Sequence, residues 1–301
     1  MPQEERLKKR PARAAPRKST RPPKPAALKN IVWLASYPKS GNTWSRIFLA
    51  NYLLGALEPV PINQVHRIGI GDSVANAYRI VAGGRYDPMD TMGHLRLREQ
   101  VLRGIVNNGA DVNFVKTHNA KGRAFGVELI LPRYTRAAVY ILRNPLDVAV
   151  SYARHYGQTP AQAARAISRS DNTTSADPTS VKQYLGNWSE HVTGWVETRD
   201  FPVHVMRYED MKTDPHKAFS ALLKFIGVPV DAERLERAIR FSSFDEMKRQ
   251  ESVTPFVERS TNLERFFHTG ETGQWKAALS PEDVAFLRER HGKVMARYGY
   301  L

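Results

Sequence analysis

A polar turn near the start of the chain carries the residue types that bind an anionic group. It lies between the apolar run Ile31–Ser36, which predicts a buried strand, and residues 43–54, whose periodicity predicts a helix ending at Gly55. A turn from a strand into a helix directs several backbone N–H groups at one point, where the helix dipole adds positive potential. The turn adds a cation, two hydroxyls and a glycine that permits close approach of the backbone: Lys39, Ser40, Thr43 and Gly41. The sequence therefore predicts a site for a phosphate or sulfate group.

This turn differs from a Walker A loop. In that pattern a lysine follows the last glycine, whereas Lys39 precedes Gly41, and the sequence offers no convincing acidic partner for Mg²⁺. These differences disfavour an ordinary ATPase or nucleotide kinase. A nucleotide-dependent phosphotransferase that uses the same turn remains an alternative.

Further strands and helices alternate along the chain. Short apolar runs predict strands at residues 112–116, 137–142 and 203–206. Helices are predicted to begin where a capping residue precedes a proline, at Asn144, Asp214 and Ser280. Residues 60–100 and 250–272 lack clear periodicity and are expected to form loops and short helices over a site. This order predicts an α/β protein with a P-loop-like, three-layer fold, in which helices flank a central, mostly parallel sheet.

Positive charge is concentrated at the start of the chain. The 301 residues have a net charge of +15, and residues 1–30 carry ten of the 45 Lys and Arg, two of the 30 acids, and six prolines. We therefore expect a disordered basic tail at residues 1–29 and one folded domain at residues 30–301. The tail is interpreted as a solvated extension, with a loose tether to nucleic acid or an anionic membrane as the second interpretation. A basic-tailed adaptor on an inactive scaffold is the alternative from outside the enzymes.

Composition also restricts the chemistry and the compartment. The chain has no cysteine, which excludes disulfides, thiolate metal sites and a thiol nucleophile. No apolar run approaches the ~20 residues of a transmembrane helix, and the charged, proline-rich start has no signal-peptide core. The sequence therefore predicts a cytoplasmic protein.

Four segments follow one another in an order typical of one enzyme family. They read YPKSGNTW at residues 37–44, VKTH at 115–118, YILRNPLDVAVSY at 140–152 and GETGQWK at 270–276. The first and third resemble the 5′-phosphosulfate loop and the 3′-phosphate segment of cytosolic-type sulfotransferases that use 3′-phosphoadenosine 5′-phosphosulfate (PAPS). The second resembles the stretch with the catalytic base, and the fourth resembles the C-terminal motif. The resemblance runs from about Asn30 to the C-terminus.

The resemblance implies in-line transfer of a sulfuryl group from PAPS to a hydroxyl or amine of a small-molecule acceptor. The second product would be adenosine 3′,5′-bisphosphate (PAP), and no metal would be required. His118 would be the general base, since a neutral imidazole accepts a proton near pH 7. Lys39 would stabilise the departing phosphate. Lys116 points to the same side of an extended strand as His118 and would also reach the sulfuryl group, with a salt bridge at the core edge as a second interpretation.

The resemblance also implies a set of donor contacts. Arg143 and Ser151 would bind the 3′-phosphate, and Trp44 would stack on adenine. Together with the turn and the adenine-side contacts, the predicted donor-binding residues are Lys39, Ser40, Gly41, Asn42, Thr43, Trp44, Arg143, Ser151, Tyr208, Ser242, Phe244, His268, Thr269 and Gly270.

Two features depart from the family pattern. Many relatives have Arg-Lys where this chain has His268-Thr269, so the 3′-phosphate loses two expected cations. The family's dimer motif is not kept after Lys276, which leaves the oligomeric state open. The sequence does not identify the acceptor. Its pocket is expected to be lined by residues 60–100 and 250–267, including His66, Tyr78, Tyr86 and Phe256.

Overall fold

The structure, a computed structural model, describes residues 29–259 and 263–301. Residues 1–28 of the tail predicted at residues 1–29 lie outside the described residues. The disorder of the tail and its contacts with nucleic acid or membranes therefore stay predictions. Within the described ranges, no helix has both the length and the apolar character needed to cross a membrane.

Five parallel strands form the central sheet. The strands of the described residues are Ile31–Ser36 (β1), Ile70–Gly71 (β2), Asn113–Thr117 (β3), Arg123–Ala124 (β4), Val127–Glu128 (β5), Thr135–Leu142 (β6) and Val203–Arg207 (β7). The main sheet has the order β2-β3-β1-β6-β7, and every neighbouring pair is parallel. β4 and β5 form a separate antiparallel pair. The prediction of a mostly parallel central sheet is confirmed.

Three helices begin at the capping residues that the sequence predicted. The helices of the described residues are Asn42–Leu53 (α1), Ala75–Val81 (α2), Thr91–Val106 (α3), Pro145–Tyr156 (α4), Pro160–Ile167 (α5), Trp188–Val196 (α6), Tyr208–Thr213 (α7), Pro215–Phe225 (α8), Ala232–Phe241 (α9), Phe244–Val253 (α10), Trp275–Ala278 (α11) and Pro281–Arg297 (α12), with a 3₁₀-helix at Ile62–Arg67. The side chains of Asn144, Asp214 and Ser280 each accept a hydrogen bond from a backbone N–H in the first turn of the helix that follows.

The sheet separates two apolar cores. Trp33 belongs to a core that includes residues of α3, α4, α5, α6 and α12, whereas the next residue, Leu34, belongs to one that includes residues of α1, α8 and α9. This alternation follows from the period of two along a strand. Helices therefore cover both faces of the sheet, and the predicted three-layer α/β fold is confirmed.

Three neighbouring strands bring functional residues to one edge of the sheet. β1 lies between β3 and β6 and is parallel to both. The residues that follow these strands therefore meet at the carboxyl edge, where open parallel sheets bind their ligands. These residues are the turn after Ser36, His118 after β3, and Arg143 after β6.

Candidate active site

The turn after β1 has the backbone geometry of an anion site. Gly41 is the N-cap of α1 with φ of 102°, and within the described part of the chain no side chain caps the first N–H groups of that helix. Lys39 also has a positive φ, of 71°. The Ser40 hydroxyl is buried and has no hydrogen-bond partner among the described residues. An uncapped helix start and a buried, unpartnered hydroxyl both provide donors for an anionic acceptor.

The turn forms part of the wall of a cleft with a volume of about 800 Å³. All but two of the predicted site residues line this cleft: Lys39, Gly41, Asn42, Thr43, Trp44, Lys116, His118, Arg143, Ser151, Tyr208, Phe244, His268, Thr269 and Gly270.

Ser40 and Ser242 are the two predicted residues that do not line the cleft. Ser40 lies within the turn itself. Ser242 is fully buried at the end of α9, where its hydroxyl donates to the carbonyl of Ala238 at 2.7 Å. Its hydroxyl is thus engaged by its own helix, and its contact with a donor stays a prediction.

His118 lines the cleft with one ring nitrogen unprotonated. Its Nδ1 lies 2.9 Å from the backbone oxygen of Ser36. The Ser36 hydroxyl also lies 3.2 Å from Nδ1, but the carbonyl is nearer and can only accept, so we assign the hydrogen to Nδ1 and the lone pair to Nε2. Burial, reinforced by the charge of Lys116, holds the pKa of His118 well below its usual range. The ring is therefore neutral at pH 7, in the protonation state that a general base requires.

A buried carboxylate fixes the strand end that carries His118. Asp72 Oδ2 accepts from the Arg98 guanidinium at 2.7 Å, from the Thr117 hydroxyl at 2.8 Å and from the Asn119 amide at 3.0 Å. Thr117 and Asn119 flank His118, and Asp72 and Arg98 are almost completely buried. A fully satisfied buried network of this kind holds its members in one geometry. Neither Asp72 nor Arg98 was identified from the sequence, because no local pattern links these positions.

A second histidine of the cleft has the opposite tautomer. His155 Nδ1 lies 3.4 Å from Lys39 Nζ. The charged form of Lys39 can only donate, so with that form Nδ1 of His155 accepts and its Nε2 carries the hydrogen. Burial and the charge of Lys39 lower the pKa of His155 to about 3. His155 therefore has no free acceptor nitrogen, whereas His118 does.

Lys39 is only about half protonated near pH 7. Burial, followed by the charges of Arg143 and Lys116, lowers its pKa to about 7. Its ammonium lies 4.3 Å from the centroid of the Phe266 ring. An anion beside Lys39 would favour the charged form and raise this pKa.

Glu258, which lines the cleft, pairs with two cations. Its Oε2 lies 3.0 Å from Lys116 Nζ and 2.7 Å from Arg46 Nη2. Burial opposes ionisation of Glu258, but the charges of Lys116 and Arg46 outweigh it and hold the pKa well below its usual range. This salt bridge is the second of the two sequence interpretations of Lys116, and a role for Lys116 in transfer stays a prediction. Glu258 was not identified from the sequence.

Arg143 links the turn to the C-terminal segment. Its Nη1 donates to the Lys39 carbonyl at 3.1 Å, and its Nη2 donates to the Glu271 carbonyl at 3.0 Å. Its Nε is buried without a partner in the described part of the chain. Its guanidinium also lies 4.2 Å from the centroid of the Tyr208 ring. Since these partners are carbonyls and an aromatic ring, the charge of Arg143 is not neutralised by them.

Helix α4 holds the C-terminal motif in place. Asp147 accepts from the backbone N–H groups of Gly273 at 2.7 Å and Trp275 at 3.1 Å. The Tyr208 hydroxyl donates to the Gly270 carbonyl at 2.7 Å. These three hydrogen bonds place residues 268–270 over the cleft, close to the start of α4.

Aromatic side chains gather around Trp44 at the same side of the cleft. Its ring centroid lies 5.6 Å from that of Tyr208 and 5.4 Å from that of Phe244, both in edge-to-face geometry. The Trp44 indole is 8% exposed, and its Nε1 has no partner among the described residues. A Cβ atom at Gly270 would lie 2.4 Å from the Phe244 ring, so glycine is required there. The cluster offers an apolar surface for stacking and an unpaired N–H donor, the Trp44 Nε1, both of which suit a heteroaromatic base.

Residues 174–183 form the wall of the cleft beside His118. Gln183 Oε1 accepts from the His118 backbone N–H at 3.0 Å. Residues in the ranges 257–259 and 263–268 supply the second part of the lining, whereas Phe256 and residues 60–100 supply none of the described lining. The acceptor pocket predicted at residues 60–100 and 250–267 stays a prediction for its second range only. Tyr78, for example, is completely buried, and its hydroxyl donates to the Asp72 carbonyl at 3.0 Å. Residues 70–106 pack against the outer strand and the core instead.

The architecture defines an α/β protein with an anion-binding turn at the carboxyl edge of a parallel sheet and an aromatic cluster beside it. A model of the sulfotransferase domain family matches residues 29–299. The chain belongs to this family, and the resemblance seen in its motifs is confirmed.

Curated relatives are identical to the chain at about a quarter of the aligned positions. Sulfotransferase 1A1 of Bos taurus is 28% identical over 173 residues, which are 52% of this chain and 54% of that protein. Sulfotransferase 1 family member D1 of Rattus norvegicus is 24% identical over 283 residues, which are 88% of this chain and 83% of that protein. The chain thus spans about half the length of the bovine relative and most of the rat relative.

Solved structures share the fold. Mouse sulfotransferase SULT7A1 complexed with PAP has a TM-score of 0.56 and 20% identity, covering 89% of this chain and 86% of that chain. Retinol dehydratase in complex with androsterone and inactive cofactor PAP has a TM-score of 0.57 and 17% identity, covering 89% and 81%. These likenesses support the three-layer architecture.

Proposed function

We propose that this chain transfers a sulfuryl group from PAPS to a hydroxyl or amine of a small-molecule acceptor, with PAP as the second product. Membership of the sulfotransferase domain family supports the reaction class. The PAP and androsterone in solved relatives support the classes of donor and acceptor. The proposal includes no metal requirement.

In this proposal the donor lies along the cleft from the turn to the aromatic cluster. The 5′-phosphosulfate binds the uncapped start of α1, with Lys39 beside it. The 3′-phosphate binds near Arg143 and Ser151, which line the cleft at α4. Adenine lies against Trp44 and Phe244.

The transfer step needs a base on the acceptor side and a cation on the leaving group. His118 Nε2 takes the proton of the acceptor hydroxyl or amine, and the acceptor atom attacks sulfur. The bond from sulfur to the bridging oxygen breaks, and its electron pair leaves with the 5′-phosphate of PAP. Lys39 stabilises the charge that develops on that oxygen. The wall of residues 174–183 beside His118 would then contact the acceptor.

The observation that carries the proposal is the state of His118. Of the two histidines whose Nδ1 partners are described in this cleft, His118 keeps an unprotonated Nε2, while His155 does not. The free nitrogen lies in a cleft that also contains Lys39 and Lys116. A neutral base beside cations suits a reaction in which an acceptor loses a proton and a phosphate gains charge.

Donor binding tests the proposal without knowledge of the acceptor. PAP should raise the melting temperature of the full chain by several degrees at millimolar concentration, because it binds only the native state. ATP with Mg²⁺ should raise it much less. Equal shifts from both ligands would favour the phosphotransferase alternative, and no shift from PAP would contradict the proposal.

Transfer itself is tested with labelled PAPS and a panel of phenols, alcohols, amines and sugars. We expect label to appear in at least one acceptor, and His118→Ala to abolish that transfer while still binding PAP. Transfer by the variant at the native rate would remove His118 from the mechanism.

A further inference from the structure

The 3′-phosphate end of the cleft contains an arginine that the sequence motifs did not identify. Arg154 lines the cleft on α4, three residues after Ser151. Side chains three residues apart lie on the same face of a helix. Arg154 therefore points along the face of α4 that presents Ser151 to the cleft.

The surroundings of Arg154 are cationic. Burial, followed by the charge of Arg143, lowers the pKa of Arg154. Arg154 in turn is the largest charge acting on His268, and it also acts on Lys39. Arg154 thus acts on Arg143 and Lys39, which the proposed function places at the donor phosphates, and on His268, which the sequence resemblance places there.

No acidic side chain among the described residues pairs with Arg154. It forms neither a salt bridge nor a side-chain hydrogen bond within residues 29–259 and 263–301. Arg143 is similar, since its hydrogen bonds go to backbone carbonyls. Two half-buried or buried guanidinium groups close together repel each other, and a shared anion converts that repulsion into attraction.

The neighbouring loop explains why such a residue is needed. Partial desolvation, then the charges of Arg154 and Lys248, lower the pKa of the largely exposed His268, so its ring is mostly neutral at pH 7. Thr269 offers only a hydroxyl. A neutral donor is worth roughly half a charge-assisted one, so this loop alone is a weak partner for a dianion.

We propose that Arg154 binds the 3′-phosphate of the nucleotide donor, together with Arg143 and Ser151, and supplies the positive charge that the His268-Thr269 loop lacks. The inference rests on the proposed function, because it assumes a donor with a 3′-phosphate. Arg154 would then determine specificity: it would favour PAPS over adenosine 5′-phosphosulfate, which has no 3′-phosphate.

Calorimetric titration with two nucleotides tests this assignment. PAP and adenosine 5′-monophosphate differ only in the 3′-phosphate, so their ratio of dissociation constants measures what the protein gains from that group. In Arg154→Gln, the Kd of PAP should rise by about 10- to 100-fold, the usual worth of a charge-assisted hydrogen bond. The Kd of the monophosphate should change less than about threefold.

Two further variants control the experiment. Arg165→Gln removes an exposed arginine of α5 that does not line the cleft, and should leave both dissociation constants unchanged. Arg154→Lys keeps the charge and should recover part of the PAP affinity. The melting temperature of Arg154→Gln should not fall, because the variant removes a repulsion with Arg143.

Three outcomes would overturn the assignment. An unchanged Kd for PAP in Arg154→Gln would show that Arg154 does not contact the 3′-phosphate. Equal losses for PAP and the monophosphate would show that it acts elsewhere on the nucleotide. A native protein that binds PAP no more tightly than the monophosphate would contradict both this assignment and the proposed donor. Because this outcome is seen without any variant, a failure of the proposed donor can be told apart from a failure of the Arg154 assignment.

Discussion

Donor binding should weaken steeply as the pH rises above neutrality, because Lys39 loses its proton there. Burial, Arg143 and Lys116 lower the pKa of Lys39 to about 7 in the free protein, and a bound phosphate would raise it. A ligand that raises a pKa binds the protonated form, so affinity is full below the free-state pKa and falls above it. The loss approaches tenfold per pH unit, which amounts to about 50-fold between pH 7 and pH 9 if the bound-state pKa lies higher.

Calorimetric titration of PAP at pH 7, 8 and 9 measures this dependence. The phosphates of PAP are already ionised over this range, since their second pKa is about 6. His118 and His155 are already neutral, because their pKa values are lowered by burial. Lys39→Arg is the matched control: a guanidinium keeps its charge at pH 9, so the Kd of the variant should be constant whatever its absolute value.

Either of two results would refute this reasoning. A native Kd that does not change between pH 7 and pH 9 would show that Lys39 stays fully charged, and that the cleft is better solvated than its burial indicates. The same slope in Lys39→Arg as in the native protein would exclude Lys39 as the titrating group. Lys116 would then be the candidate, because burial also lowers its pKa.

Two further predictions use matched pairs of residues. His118→Ala should lower kcat by about 10²- to 10⁴-fold with PAP affinity nearly unchanged, while His155→Ala should stay within about tenfold of the native rate. Comparable losses of kcat for the two variants in steady-state assays would contradict the tautomers assigned to the two rings. Alanine at Gly270 or Gly273 adopts a positive φ in both cases, of 69° and 76°, but only the first meets the Phe244 ring. Gly270→Ala should therefore lower the free energy of unfolding by about 1 to 3 kcal/mol more than Gly273→Ala and also weaken PAP binding. Equal effects in urea denaturation would show that the ring moves aside freely.

The parts of the fold predicted from sequence are those with local physical signals. The apolar run at Ile31–Ser36 became β1 with the predicted bounds, because a strand buried on both faces needs no polar alternation. Helix starts at Asn144, Asp214 and Ser280 were predictable because the capping side chain and the helix it caps are adjacent in sequence. The phosphate turn was predictable because Lys39, Ser40 and Gly41 closely follow the apolar run that forms β1.

Helix α3 shows why the remainder could not be predicted. Its buried face carries His94 and Arg98 among the apolar residues, which interrupts the expected periodicity over residues 91–106. Arg98 tolerates burial only because Asp72 pairs with it across the fold. The same limit applies to Glu258, whose partners Arg46 and Lys116 lie far away in the chain. A charge that is satisfied by a distant residue looks, in the sequence, like any surface charge.

The cleft concentrates positive charge that the fold leaves largely uncompensated. Its described lining contains six lysines and arginines, Lys39, Lys116, Arg143, Arg154, Arg259 and Arg265, but two acids, Asp177 and Glu258. Glu258 is already shared by Lys116 and Arg46, and Arg143 is held by backbone carbonyls. Lys116 and Arg143 are therefore held in position before any anion arrives, and they need little reorganisation when negative charge develops on a departing phosphate. Lys39 would contact the 5′-phosphosulfate both in the bound donor and while charge develops on the leaving oxygen, so its substitution should weaken donor binding and slow transfer together. Substitution of Arg154, at the 3′-phosphate, should act mainly on donor binding.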